Sequence, residues 1–138
     1  MKNQVYISCS FAKRKELDQA VESIKNTLLS QGYFPWVFVD NYTFTLEQEK
    51  EMMHQAMQDI EASVFLLAET SDKGIGIGIE AGYAKALNKP VVYLRNIAAE
   101  HSTTLAGISD YQIVYADGTD LAIQVEKVVQ AISHNKKS

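Results

Sequence analysis

The segment from Leu67 to Pro90 places an acidic side chain next to alternating glycines, and this pattern has a direct chemical meaning. Glycines at 74, 76 and 78 predict a flexible loop that leads into a short helix from about residue 78 to residue 87. Glu80 would then lie in the first turn of that helix, among apolar neighbours that partly desolvate it. A positioned carboxylate can act as a nucleophile and form a covalent glycosyl intermediate. The alternative is a glutamate that only stabilises its helix through the helix dipole.

A second polar cluster follows the first predicted strand and combines hydroxyl with basic side chains. Its members are Ser8, Ser10, Lys13 and Arg14. Hydroxyls, cations and free backbone N–H groups at the start of a helix suit a phosphate group, and a solvated basic turn is the alternative. Lys13 and Arg14 therefore favour a phosphorylated ligand. Tyr6, on the preceding strand, either points its phenol into the same site or packs in the core.

Short apolar runs alternate with amphipathic segments and predict the scaffold that positions these residues. The predicted strands cover residues 5–9, 33–39, 64–68, 91–94 and 111–115. Helical stripes are predicted at Leu17, Val21, Ile24 and Leu28, at Met53, Met57 and Ile60, and at Leu121, Val125, Val128 and Ile132. This alternation favours an α/β fold, a flavodoxin-like (Rossmann-like) five-stranded parallel sheet with helices on both faces. Ligands of such sheets bind beyond the carboxyl ends of the strands, where both polar clusters are expected to meet.

Turn and capping residues predict the element boundaries. Gly32 and Asn88 are predicted to end helices, Thr45 and Gln48 to form a capping box, and Asp120 to cap the last helix. Pro35 within the second strand indicates an edge strand. The methionines at 52, 53 and 57 are expected to pack in the core or at a dimer face.

Composition limits the class of protein. The 138 residues suit one domain, predicted over residues 1–133 and followed by a polar tail at 134–138. The net charge of −4 argues against a dedicated nucleic-acid-binding protein. Cys9 is the single cysteine, so an intrachain disulfide is impossible, and the histidine spacing indicates no metal site. We find no membrane-spanning run and no signal-peptide pattern, so we expect a cytoplasmic protein.

Three stretches together resemble the nucleoside 2-deoxyribosyltransferase superfamily. They are Val64–Thr70, Gly76–Ala86 and Lys89–Val92, with a weaker likeness at Val5–Ser10. Within the superfamily, the glycine-x-glycine-x-glutamate turn is more similar to the 2'-deoxynucleoside 5'-phosphate N-hydrolases. The resemblance implies a flavodoxin-like fold and an enzyme that cleaves or transfers at the N-glycosidic bond of a (deoxy)nucleoside or its 5'-monophosphate.

The resemblance also implies roles for individual residues. Glu80 matches the nucleophile that attacks the anomeric carbon and forms a glycosyl-enzyme ester, and Tyr6 matches a tyrosine that orients it. Ser10 matches a phosphate-side serine. The other expected substrate contacts are Ser8, Lys13, Arg14, Asp72, Gly76 and Gly78. No cofactor is implied, because the nucleophile and the leaving base suffice, and the family is typically a homodimer or a larger homo-oligomer.

The chain departs from the family pattern at two positions, which leaves the substrate open. The family carries an aspartate on the helix before the third strand, where this chain has Gln55 or Ala56, with His54 and Asp59 nearby. A serine in the hydrolases' glycine loop is Gly74 here. Two alternatives therefore stand beside the enzyme: a degenerate module that binds a nucleotide or ADP-ribose without cleaving it, and an NAD glycohydrolase similar to Toll/interleukin-receptor domains.

Overall fold

Five parallel strands form one sheet in the computed structural model, which describes residues 3–137. The strands are β1 (Gln4–Ser8), β2 (Phe34–Val37), β3 (Phe65–Glu69), β4 (Val91–Asn96) and β5 (Tyr111–Tyr115). Their spatial order is β2-β1-β3-β4-β5. The flavodoxin-like sheet predicted from the sequence is thus confirmed, and its topological switch point lies between β1 and β3, where ligands bind in such folds.

Helices cover both faces of the sheet. They are α1 (Asp18–Ser30), α2 (Phe38–Asn41), α3 (Glu49–Glu61), α4 (Ile75–Ala86), α5 (Thr103–Ile108) and α6 (Gly118–Lys137). Short 3-10 turns at Arg14–Leu17 and Leu46–Gln48 precede α1 and α3. α1 and α6 pack over one face, and α2, α3, α4 and α5 pack over the other, so the protein has two apolar cores with the sheet between them.

The central strand β1 sends alternate side chains into the two cores. Val5 and Ile7 pack beneath α1 and α6, whereas Tyr6 packs in the core beneath α3 and α4. Ser8 lies two residues after Tyr6 and also contacts α4. Because the side-chain period of a strand is two, β1 brings two hydroxyl groups to the same helix.

The helix that carries Glu80 begins earlier than the glycine pattern predicted. α4 begins at Ile75 with Gly74 as its N-cap, so Gly76 and Gly78 are helical and do not form a loop. Glu80 is the sixth residue of α4 and lies in its second turn, not in its first. The helix-dipole alternative for Glu80 loses support, because the effect of the dipole falls off within the first turn.

Packing explains why this glycine-rich stretch is helical. Ile77, Ala81 and Ala84 recur at helical spacing and are buried against the sheet. Burial of one apolar face stabilises a helix more than propensity does, so it offsets the roughly 1 kcal/mol that each interior glycine costs. The sequence-based prediction weighted glycine as a turn residue and missed this stripe.

The second strand is shorter than predicted and sits at the edge of the sheet. It ends at Val37, and Val39 belongs to the short helix α2. The Asn41 side-chain amide donates to the Val37 carbonyl at 2.7 Å, which closes the helical turn. The edge position predicted from Pro35 is confirmed, since β2 pairs with β1 alone.

The last helix differs from the prediction in three details. The Asp120 N–H donates to the Asp117 carboxylate at 2.9 Å, so Asp117 caps the helix in place of Asp120. Val129, not Val128, is the fully buried member of the apolar stripe. The helix also runs to Lys137, through most of the segment predicted as a polar tail.

Gly32 provides a stability test of the turn after α1. It has φ 83°, a left-handed conformation that side chains other than glycine rarely adopt. We expect Gly32→Ala to lower the free energy of unfolding by roughly 1–2 kcal/mol, because its Cβ strains this conformation. Gly107→Ala within α5 is the matched control, because open space surrounds that position and alanine favours the helix. Denaturant titration measures both, and equal stability of the two variants would contradict the prediction.

Candidate active site

Glu80 and two hydroxyl side chains of β1 form a hydrogen-bonded group at the carboxyl edge of the sheet. Tyr6 Oη donates to Glu80 Oε2 at 2.7 Å, and Ser8 Oγ donates to Glu80 Oε1 at 2.5 Å. Tyr6 and Ser8 are buried, whereas Glu80 is partly exposed. Each carboxylate oxygen therefore has one donor on the rigid central strand, and the carboxylate is held in a single orientation.

Burial and hydrogen bonding act on the pKa of Glu80 in opposite directions. Burial raises this pKa, the hydrogen bonds from Ser8 and from Tyr6 lower it, and the net shift is upward. Burial, together with the nearby charge of Glu80, also raises the pKa of Tyr6 far above its ordinary value. The phenol of Tyr6 therefore stays protonated and remains a donor to the carboxylate at physiological pH.

A cleft of about 340 Å³ opens at the Glu80 carboxylate, a volume in the range of small-molecule sites. Its polar and charged lining residues are Ser8, Ser10, Asp72, Lys73 and Glu80. Its larger apolar lining residues are Phe11, Phe38, Val39, Met52, Met53 and Ile77. Asp72 and Lys73 follow β3, whereas Phe38 follows β2, and β1 lies between these strands. The cleft therefore has a polar end on the β3 side and an apolar end on the β2 side.

The polar end joins the first loop to the start of α4. Ser10 Oγ donates to Asp72 Oδ2 at 2.6 Å and accepts the Lys13 N–H at 3.1 Å. Gly74 and Gly76 line the cleft, and no side chain among residues 3–137 caps the N-terminus of α4. Backbone N–H groups of the first helical turn are therefore free to bind an acceptor, which makes this end suited to hydroxyl or phosphate oxygens.

The two predicted cations do not reach this cleft. Arg14 forms a bidentate pair with Asp40, at 2.8 Å for both contacts, and a further contact of 2.8 Å to Asp18. The Asp40 hydrogen bond raises the pKa of the guanidinium. Lys13 lies 3.6 Å from Glu16 on the exposed surface. Both side chains stabilise the start of α1 and leave the cleft to other groups.

Of the predicted glycine contacts, Gly76 lines the cleft and Gly78 does not. Gly78 borders a separate groove between α4 and α5, next to Thr70, Ser102 and Leu105. One helical residue step is 100°, so two glycines two positions apart point to different sides of α4. The sequence analysis expected Gly76 and Gly78 to lie on one loop and to line the site together. In the helix, only Gly76 lines the cleft.

The aspartate of α3 lies behind the cleft wall and not in it. Asp59 is 8% exposed and accepts hydrogen bonds from Trp36 Nε1 at 3.0 Å and Tyr42 Oη at 2.8 Å. Gln55 Nε2 donates to its other oxygen at 2.9 Å. His54, the other nearby candidate, is exposed. Asp59 thus ties β2 and the loop after α2 to α3, and neither side chain lines the cleft.

The apolar end contains residues that the sequence analysis assigned to packing. Phe38 stacks on Tyr6 with ring centroids 5.8 Å apart, and Met52 and Met53 reach the cleft from α3. The sequence analysis placed Met53 on an apolar stripe and expected both methionines in the core or at a dimer face, and it gave no sign that they border a ligand site. Cys9 also lines the cleft, and burial raises its pKa to about 12, which keeps the thiol neutral.

Residues 3–137 contain neither a metal-ligand cluster nor a membrane-spanning helix. No three His, Cys, Asp or Glu side chains in this range lie close enough together to hold a metal ion. No helix in the same range has both the length and the apolar composition needed to cross a membrane. The Glu80 cleft brings together more of the predicted site residues than a neighbouring cavity of about 450 Å³, which Lys13 and Asp72 line with Ser71, Asn96 and Tyr115.

A family model and several solved structures match the chain. The model for nucleoside 2-deoxyribosyltransferase matches residues 5–132. No curated protein sequence is significantly similar to the chain. The family match therefore comes from the family model and spans all five strands.

The structural neighbours share the fold at low sequence identity. A CMP N-glycosidase of Clostridium botulinum is 19% identical with a TM-score of 0.63, and covers 89% of this chain and 98% of its own. A 2-deoxyribosyltransferase of Bacillus psychrosaccharolyticus is 16% identical with a TM-score of 0.69, and covers 86% and 90%. A conserved protein of Enterococcus faecalis V583 is 16% identical with a TM-score of 0.71, and covers 93% and 99%. These likenesses show a common fold.

Proposed function

Because the chain belongs to the nucleoside 2-deoxyribosyltransferase family, we propose that it cleaves or transfers at the N-glycosidic bond of a (deoxy)nucleoside or its 5'-monophosphate. The observation that carries the proposal is the Glu80 carboxylate, which Tyr6 and Ser8 hold at a cleft of nucleotide size. Two structural neighbours are named for reactions of this class. The proposal includes a homodimer or larger homo-oligomer, as the family resemblance implies, and the cytoplasmic location expected from the sequence.

In the proposed first step, Glu80 acts as the nucleophile. A carboxylate oxygen attacks C1' of the sugar and forms an ester bond while the C1'–N bond breaks and its electron pair leaves with the base. Tyr6 and Ser8 fix the carboxylate before the substrate binds, so little orientational freedom is lost at the reaction. Burial raises the pKa of Glu80, and the hydrogen bonds from Ser8 and Tyr6 oppose that shift and favour the ionised form that attacks.

In the second step, the glycosyl ester is resolved by water or by a second base. The incoming oxygen or nitrogen bonds to C1', the ester C1'–O bond breaks, and the electron pair returns to Glu80 as a carboxylate. The proton of the incoming group passes to solvent. Water gives a free sugar or sugar phosphate, whereas a base gives a new nucleoside. Two successive inversions retain the configuration at C1'.

The polar end of the cleft is the proposed place for the 5' side of the sugar. The N–H groups at the start of α4 can donate to a phosphate, and both Asp72 and Ser10 Oγ, whose proton goes to Asp72, can accept from a sugar hydroxyl. Lys73 also lines this end, and its Nζ is paired with Glu100 at 3.3 Å. Lys13 and Arg14 do not line this end, and their side chains pair with acids outside the cleft.

A panel of nucleosides and nucleoside 5'-monophosphates, in ribose and deoxyribose forms, tests the proposed function. We expect chromatography to show free base from at least one substrate, with phosphorylated substrates preferred. Adding an acceptor base separates transfer, which yields a new nucleoside, from hydrolysis. Absence of base release and of exchange across the whole panel would contradict the proposed enzyme. Equal rates on nucleosides and monophosphates would remove only the phosphate preference.

One observation supports the alternative of a binding module without turnover. The α3 carboxylate nearest to the family's aspartate position is Asp59, and it is turned into a buried hydrogen-bond network. A cleft without that aspartate could hold a nucleotide or ADP-ribose and leave it intact. Because a ligand that binds only the native state raises stability, a rise of Tm with ligand but no base release would favour this alternative.

A further inference from the structure

A second cavity lies beside the Glu80 cleft, at the same edge of the sheet but on the side of α1 and α6. Its volume is about 450 Å³, and Asp72 lines both cavities. Asn96 and Tyr115, the last residues of β4 and β5, line it together with Ser71, which follows β3. Ligands of parallel α/β sheets bind beyond these strand ends, and the mechanism proposed above makes no use of this cavity.

The floor of the second cavity is held in place by a buried carboxylate. Glu69 is fully buried and accepts hydrogen bonds from the Ser71 N–H at 2.7 Å, from Ser71 Oγ at 2.8 Å and from Tyr115 Oη. Ser71 Oγ in turn accepts the Asn96 N–H at 2.9 Å. These bonds join the ends of β3, β4 and β5, so the floor is fixed before a ligand binds. A preorganised site loses less free energy to ordering when the ligand binds.

Several polar groups that line this cavity are free to bind a ligand. Asp72 and Asp117 each have one carboxylate oxygen without a partner among the described residues. The Asn96 side chain accepts the Ala98 N–H through Oδ1, and its Nδ2 donor, like the Gln19 amide, is unpaired within residues 3–137. A hydroxyl group both donates and accepts, so a lining of carboxylate oxygens and amide donors suits a ligand with several hydroxyls.

The charge of the lining decides which hydroxylated ligands fit. It contains one lysine and three acids, Lys13 against Glu16, Asp72 and Asp117, and so has a net charge of −2. Lys13 lies 3.6 Å from Glu16, which leaves Asp72 and Asp117 without a cation. A phosphate or carboxylate would be repelled here, whereas a protonated amine would be attracted. This preference is opposite to that of the free N–H groups at the start of α4, which suit an anion.

We propose that this cavity is a second small-molecule site, which takes a polyhydroxylated ligand with a protonated amine, such as an aminosugar. The carboxylates of Asp72 and Asp117 pair with the amine, and the amides of Gln19 and Asn96 bind hydroxyl groups. The volume lies in the range of small-molecule sites. The site goes beyond the proposed function, because its ligand binds without a reaction at Glu80.

Three hexoses with the same ring and different charges test the proposal on the whole chain by nuclear magnetic resonance. They are D-glucosamine, D-glucose and D-glucose 6-phosphate, and a pH of about 6.5 keeps the amine protonated. The side-chain amide signals of Gln19 and Asn96 report on the second cavity, and the backbone amides of Gly74 and Gly76 report on the Glu80 cleft. We expect saturable shifts at Gln19 and Asn96, with glucosamine bound roughly three- to tenfold more tightly than glucose and the phosphate bound most weakly.

Asp117→Asn tests the charge of the site without removing the helix cap. The asparagine Oδ1 can still accept the Asp120 N–H, so α6 keeps its first turn. We expect this variant to bind glucosamine roughly threefold or more weakly than the wild type, and to bind glucose about equally well. Glu126→Gln is the matched control, because it makes the same change of charge at an exposed position of α6 outside the cavity. Its affinities should equal those of the wild type.

Four results would each overturn the proposal. They are glucosamine shifts that do not saturate by about 100 mM, shifts confined to Gly74 and Gly76, tighter binding of glucose 6-phosphate than of glucosamine at Gln19 and Asn96, and an Asp117→Asn protein with unchanged affinity for glucosamine. None of these measurements uses base release. A protein that releases no base but binds glucosamine as expected would therefore count against the proposed function and support the second site.

Discussion

Replacing Glu80 with glutamine is expected to lower the rate of base release by about a thousandfold or more, while the fold is retained. The amide oxygen can still accept from Tyr6, and the amide N–H can donate to Ser8, so the site keeps its shape. A neutral amide is not a nucleophile toward C1', and the glycosyl ester cannot form. Initial rates of base release, measured by chromatography on the best substrate of the panel, give the comparison.

Mass spectrometry of the acid-quenched reaction supplies a second readout. The wild-type protein is expected to gain the mass of the sugar or sugar phosphate on the peptide that contains Glu80, and the glutamine variant is expected to gain none. Glu51→Gln is the matched control, because Glu51 is exposed on α3 and does not line the cleft. A glutamine-80 protein that releases base at the wild-type rate, or an adduct on another peptide, would contradict the nucleophile assignment.

The same substitution is expected to raise the Tm at neutral pH. Burial raises the pKa of Glu80, so the folded protein binds this proton more tightly than the unfolded chain does. The stability contributed by the protonated form is fully present below the unfolded pKa and is lost as pH rises through the folded pKa. A neutral glutamine avoids the free-energy cost of burying a charge. Residues kept for activity commonly lower stability in this way, so replacing them raises it. The Tm difference should therefore be positive at neutral pH and shrink on acidification.

The pairing of Glu80 with β1 could be predicted because it follows from two short-range patterns. Side chains two apart on a strand share a face, which puts Tyr6 and Ser8 together. Strand alternation along the chain predicts a parallel sheet, and its carboxyl edge brings the end of β1 next to the segment after β3. Neither step needs a long-range contact to be known, so the sequence was sufficient for the fold and for the proximity of Tyr6 to Glu80.

The substrate contacts were less predictable because they depend on residues far apart in the sequence. Arg14 has a basic side chain at a helix start, yet its partner Asp40 is 26 residues away, and nothing local indicates that pairing. Met52 and Met53 show the same periodicity whether their helix face meets the sheet or a cleft. Tertiary packing also overrode the glycines of α4. A sequence pattern within one helix or strand predicts that helix or strand. It does not predict which residues from distant parts of the chain its side chains contact.

Tyr6→Phe is expected to lower kcat roughly ten- to a hundredfold, because a hydrogen bond to a charged group contributes about 1.5–3 kcal/mol. The substitution removes the donor to Glu80 Oε2 and leaves Ser8 as the remaining donor in the group. The phenyl ring still stacks on Phe38, so the aromatic wall is kept. Single-turnover rates separate this loss in the chemical step from any change in substrate binding.

The pH profile distinguishes a positioning donor from a residue that merely packs. The hydrogen bond from Tyr6 lowers the pKa of Glu80, so its removal raises that pKa further and moves the acid limb of kcat to higher pH. Ser8→Ala should move the limb in the same direction. Tyr93→Phe is the control, because Tyr93 is equally buried but bonds to Ser102, not to Glu80. If Tyr6→Phe, Ser8→Ala and Tyr93→Phe all lowered activity and the acid limb did not move, the Tyr6 and Ser8 hydroxyls would only support the fold. The pKa of Glu80 would then be set by burial alone.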